Sequence, residues 1–290
     1  MCPDAPRLAG SLRLLAVAAL CALGATFVCP SSASAADRRF ALVVGHNHSD
    51  DPTLPELSYA DDDALRYAEL FGRLSDHVTT LTVPDDETRA LWPQATITAP
   101  TRAAVIDALA RLRVDMQAAR REGDRPILYF VFSGHGNYDG EGRGYVHLDG
   151  GRWTTRDLYH HLIEPSQGDP VVLIVDACNA ALLVNSRGPT ERRPSGPDTL
   201  ELERHPNVGV ILASSSVGET HEWGKYLAGV FSHEVRSALM GPGDVDLDGR
   251  ITFAELAAFV AAANARVTNP SVRITPYIRP PLTAPNLPLV

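Results

Sequence analysis

The chain has 290 residues, 44% of them hydrophobic, and a formal net charge of −9. So acidic a chain is a poor partner for nucleic acid or an anionic membrane surface, both of which recruit Lys and Arg. Its length and apolar content suit one large α/β domain with a full core.

Residues 1–36 carry Arg7 and Arg13, an apolar stretch from Leu14 to Val28, and then Ala33-Ser34-Ala35. This charged, apolar and cleavable series predicts a secretory signal peptide and an exported protein, periplasmic or secreted. No segment reaches the roughly 20 apolar residues of a membrane span, so no stable span is expected. Removing the leader takes away Cys2, Cys21 and Cys29, leaving Cys178 and no internal disulfide. A solitary thiol in an oxidising compartment is either a buried, inert cysteine packed as a small hydrophobe or a functional group.

Phe40 to Val44, Ile127 to Phe132, Val171 to Val175 and Val208 to Ala213 are continuous apolar runs. Strands that are apolar on both faces belong in the middle of a parallel sheet covered by helices. His77 to Val83 predicts a shorter edge strand. Ala64, Tyr67, Ala68, Phe71 and Leu74 recur at helical spacing, as do Val105, Leu109, Leu112 and Met116 after a Thr101 cap. The alternation predicts an open, mostly parallel sheet flanked by helices. Asp149-Gly150 marks a hairpin within Gly144 to Trp153. Residues 185–206, rich in Pro, Gly, Arg and Glu without a hydrophobic period, predict a long exposed loop. The proline-rich residues 269–290 predict an irregular tail on the surface.

Chemistry gathers at two strand ends. One run leads into Ser133-Gly134-His135-Gly136 and another into Asp176-Ala177-Cys178. The carboxyl ends of such strands line the ligand crevice, so an imidazole and a thiol there suggest a base and a nucleophile. Small residues beside His135 leave backbone N–H groups for an oxyanion, here Gly136 together with Cys178.

These two motifs in this order, with Tyr59-Ala60-Asp61-Asp62-Asp63-Ala64 after the first strand, resemble the caspase and metacaspase family of cysteine peptidases from Phe40 to Val267. The resemblance implies a three-layer caspase-like sandwich over residues 37–268, a His135–Cys178 dyad and a protein or peptide substrate. It also implies that Asp63 and Asp176 line the pocket that selects a basic residue. A carboxylate pair makes forked contacts with a guanidinium, which favours cleavage after Arg over Lys. Arg187-Gly188 and Arg192-Arg193 then become candidate self-processing bonds, and the segment through Ser214 to Trp223 lies beside the cleft. The chain departs from the family in reading Asn179-Ala180-Ala181 after the cysteine. The alternative function is a catalytically silent scaffold of the same fold that binds calcium or a protein partner.

Residues 244–255 match a twelve-residue EF-hand calcium loop. Asp244, Asp246 and Asp248 take positions 1, 3 and 5, Gly249 the turn, Arg250 the backbone-carbonyl position and Glu255 the bidentate last place. Thr252 with Glu255 also spells a capping box for a final helix. His46, His48, His160 and His161 lack a further ligand at zinc spacing. No organic cofactor is expected.

Overall fold

A computed structural model describes residues 35–166, 168–184, 199–213, 222–267, 273–274 and 276–290. The expected leader up to Ser34, Arg187, Arg192, Arg193 and the segment 214–221 lie outside the described residues. No helix among the described residues is long and apolar enough to cross a membrane.

In chain order the elements are β1 (Asp37–His46), α1 (Ala60–Leu74), β2 (His77–Leu81), α2 (Asp86–Leu91), α3 (Arg102–Glu122), β3 (Arg125–Gly134), β4 (Gly136–Tyr138), β5 (Gly144–Leu148) and β6 (Gly151–Thr154). They continue as α4 (Thr155–Leu158), β7 (Val171–Asp176), α5 (Ala180–Leu183), α6 (Thr199–Glu203), β8 (Val208–Leu212), β9 (Glu222–Trp223), β10 (Ala228–Gly229), α7 (Val230–Leu239), α8 (Phe253–Ala265) and β11 (Tyr277–Arg279). The main sheet runs β11-β8-β7-β3-β1-β2. Every pairing in it is parallel except β11 on β8.

Alternation along the strands builds two cores. Phe40, Leu42, Leu128, Phe130, Val171 and Leu173 face α3 and its residues Val105, Leu109 and Met116. Ala41, Val43, Tyr129, Val131, Val172 and Ile174 face α1, α7 and α8 through Tyr67, Phe71, Phe231, Val235 and Leu256. Each fully buried large apolar side chain contributes about 1.5–3 kcal/mol, so the central strands need apolar residues on both faces. The three-layer, mostly parallel α/β sandwich of the sequence reading is therefore present. Thr101 caps α3 by accepting from the Ala104 N–H at 3.1 Å. The hairpin forms as β5–β6, and β4 joins it in a small antiparallel sheet.

Three expectations need correction. The edge strand ends at Leu81, after which Thr82 bridges to Thr98. The stretch expected as an unbroken loop contains α6, whose Leu202 is buried in the core. The tail is not a surface wrapping: β11 pairs with β8, Leu287 and Leu289 enter the second core, and the Tyr129 hydroxyl donates to the Leu289 carbonyl at 2.9 Å.

Candidate active site

β3 and β7 are parallel neighbours with Ser133 opposite Asp176, so the segments leaving them start side by side. They touch at Gly136, where an added Cβ would lie 2.1 Å from the Cys178 carbonyl oxygen and 3.0 Å from the Ala177 Cβ. Only glycine permits that approach, and it draws the flanking His135 and Cys178 to the same edge of the sheet. Cys178 is buried in the turn between β7 and α5 and forms no disulfide. Asn179 follows at φ 57, in the left-handed region that asparagine tolerates better than most residues. The departure from the family pattern after Cys178 thus fits its backbone.

His135 is oriented from the far side. Its Nε2 lies 2.8 Å from the Pro55 carbonyl oxygen. A carbonyl only accepts, so neutral His135 carries its proton on Nε2 and keeps the Nδ1 lone pair. Burial pulls the His135 pKa below its usual value, while the Pro55 contact and Asp51 oppose the shift. The buried His147 ring stands edge-on at 6.2 Å, and its backbone N–H donates to the His135 carbonyl at 3.0 Å. One backbone bond thus ties His135, just ahead of β4, to His147 of β5. The next pair, Gly136 with Val146, is the non-bonded kind, so the Gly136 N–H is directed away from β5. Neither Pro55 nor His147 stood out in the sequence. Pro55 contributes a backbone atom, and His147 lies in a hairpin read only for its turn.

The three acids of α1 go to three places. Asp61 accepts from Asn47 Nδ2 and the Asp85 N–H, each at 2.8 Å. Asp62 accepts from the Thr88 hydroxyl at 2.8 Å. Asp63 turns inward, accepting from Arg236 Nη2 and the Gly229 N–H, each at 2.8 Å. Asp176 accepts from the Ser232 N–H at 3.1 Å. A Cβ on Gly229 would fall 2.7 Å from Asp176 Oδ2 and 3.1 Å from Asp63 Oδ2, so the two carboxylates predicted to line one pocket do converge. Burial raises the pKa of both; Arg236 opposes the rise on Asp63 and Asp176 adds to it.

The N-terminus of α1 is held by distant side chains. Asn47 Oδ1 accepts from the Ala60 N–H at 2.8 Å, and Glu222 of β9 accepts from the Ser58 and Tyr59 N–H groups at 2.9 Å. These bonds satisfy donors that a helix start leaves without partners.

At the EF-hand-like loop, Asp244, Asp246 and Glu255 bring carboxylate oxygens within 4.8 Å of one another. Asp248 is not in that group; it accepts from the Arg250 N–H at 2.8 Å. Asp244 accepts from the Asp248 and Gly249 N–H groups at 3.1 and 3.0 Å, with Gly249 at φ +81. Glu255 also completes the capping box with Thr252. His46 is buried, and burial with His48 nearby lowers its pKa to about 4.

The caspase domain family model matches residues 38–277. Among solved structures the chain resembles one titled "structure of pro-sf-caspase-1", with a TM-score of 0.51 and 15% identity over 84% of this chain and 88% of that one. At that identity the likeness speaks for the fold. No curated protein matches the sequence. With the family's fold in place and His135 and Cys178 at adjoining strand ends, the chain belongs to the caspase-domain family of cysteine peptidases.

Proposed function

We propose that the protein is a cysteine endopeptidase that cleaves polypeptides after arginine, and after lysine less well. The observation that carries the reading is the Pro55–His135 contact at 2.8 Å, which leaves Nδ1 as the base beside the Cys178 turn. Nδ1 takes the thiol proton and the sulfur attacks the scissile carbonyl. The Gly136 and Cys178 N–H groups hold the oxyanion. His135 then protonates the leaving amine, and water, deprotonated by the same ring, releases the acyl group from sulfur. The buried carboxylates Asp63 and Asp176, with Arg236 balancing one charge, leave the pocket a net negative charge that selects a basic side chain.

Self-processing at Arg187 or Arg192 follows from the same specificity. Calcium at Asp244, Asp246 and Glu255, with the Arg250 carbonyl and Asp248, rests on the twelve-residue sequence pattern. The leader signals support export as the route.

The test is turnover of fluorogenic peptides ending in Arg, Lys or Asp by the mature protein and by Cys178→Ala. Cysteine-dependent cleavage of the Arg peptide is expected. Silence toward all three peptides favours the binding scaffold, and turnover of the Asp peptide overturns the pocket.

A further inference from the structure

Three charged side chains meet beneath the start of α7. Asp63, Asp176 and Arg236 are 1%, 4% and 3% exposed. Arg236 Nη2 donates to Asp63 Oδ1 at 2.8 Å, and the Gly229 N–H donates to Asp63 Oδ2 at the same distance. Both oxygens of Asp63 are therefore engaged by the protein's own donors. The Arg236 guanidinium also lies 5.5 Å from the Tyr67 ring centre, which fixes it from another side. Asp176 takes the Ser232 N–H on Oδ2. Fully ionised, the cluster carries one net negative charge, which one incoming cation balances.

We propose that Arg236 is a specificity-determining residue: it holds Asp63 as an internal counter-ion, so that the basic side chain of a substrate is read by Asp176. The inference rests on the basic pocket proposed above and assigns its two acids different tasks. Asp63 anchors α7 to α1 through Arg236 and Gly229. Asp176, two residues before the nucleophile, faces the substrate. A single carboxylate still forks onto arginine, but it separates arginine from lysine less sharply than two free carboxylates would.

The experiment compares kcat/KM for matched Arg and Lys peptides in the mature wild type, in Arg236→Gln and in the paired Asp63→Asn/Arg236→Gln protein. Freeing Asp63 in Arg236→Gln raises the Arg-over-Lys ratio by about tenfold, mostly through KM for the Arg peptide. The paired variant removes the ion pair as a unit, leaves the cluster with the same net charge as the wild type and keeps the wild-type ratio. It tests the proposal even where Arg236→Gln fails to fold. A paired variant whose ratio collapses to unity shows that Asp63 reads the substrate and overturns the proposal alone, as does an active Arg236→Gln with an unchanged ratio. A wild type that cleaves neither basic peptide removes the basic pocket itself, and the proposal with it.

Discussion

His135 and Pro55, 80 residues apart in the chain, meet at 2.8 Å between the imidazole Nε2 and a backbone carbonyl oxygen. The contact fixes the ring's tautomer without spending a side chain, and it works at a site where burial disfavours the imidazolium.

The first prediction concerns pH. Because the folded pKa of His135 lies below its usual value, neutral imidazole persists to lower pH than in a free histidine. The acid limb of kcat, read with the pocket filled, should inflect below about 6.5. An inflection above 7 contradicts the assignment of His135 as the buried base. His135→Ala should lower kcat by about 10²–10⁴-fold.

Gly136→Ala tests the contact between the segments that carry His135 and Cys178. The new Cβ meets the Cys178 carbonyl at 2.1 Å, so one segment must shift. We expect kcat to fall by about 10²-fold or more, the scale of losing an oxyanion donor, with little change in far-ultraviolet circular dichroism. Near-wild-type turnover would show that the segments separate freely.

Glu234, on α7, is 5% exposed and Oε2 has no partner among the described residues. Burial alone raises its pKa to about 7. The folded state thus holds this proton more tightly than the unfolded chain, and a cost to stability appears as pH rises from about 4.5 to 7. Glu234→Gln should be more stable than wild type at pH 8, by on the order of 1–2 kcal/mol, and the gain should vanish at pH 4.5. A gain independent of pH would point to packing instead.

For calcium, the expected result is a rise in melting temperature with added Ca²⁺ that chelator reverses. Asp244→Asn or Asp246→Asn should remove the rise while leaving the metal-free melting temperature near wild type. Glu255→Ala should lose both, because the same carboxylate accepts the Thr252 N–H in the capping box that starts α8. Absence of any calcium-dependent shift in the wild type would leave Glu255 as a cap only.

Deleting residues 277–290 should abolish cooperative folding. It strips β11 from β8 and removes Leu287 and Leu289 from the second core, each worth about 1.5–3 kcal/mol. Measurement of the melting transition decides it, since a true surface tail would leave that transition in place.

The deletion bears on what a sequence reveals. β1, β3, β7 and β8 were legible because strands buried on both faces have to be apolar throughout. The placement of His135 and Cys178 at adjoining strand ends was legible because both motifs follow such strands directly. β11 was not, since three residues between prolines carry no period and its stability comes from an edge 65 or more residues away in the chain. Arg236 was hidden for a related reason: it sits on an ordinary helix face, and its partner Asp63 lies 173 residues earlier. The convergence of Asp63 and Asp176 was reached through family resemblance, whereas the engagement of Asp63 by the protein itself emerges only from the packed side chains.

Glu222 gives the molecule a built-in reporter. Its carboxylate, on β9, spans 164 residues to take the amide protons of Ser58 and Tyr59 just ahead of α1. Undocking the β9–β10 hairpin from the start of α1 would hand those amides back to solvent. Deuterium uptake at Ser58 and Tyr59 thus reports whether that hairpin is docked.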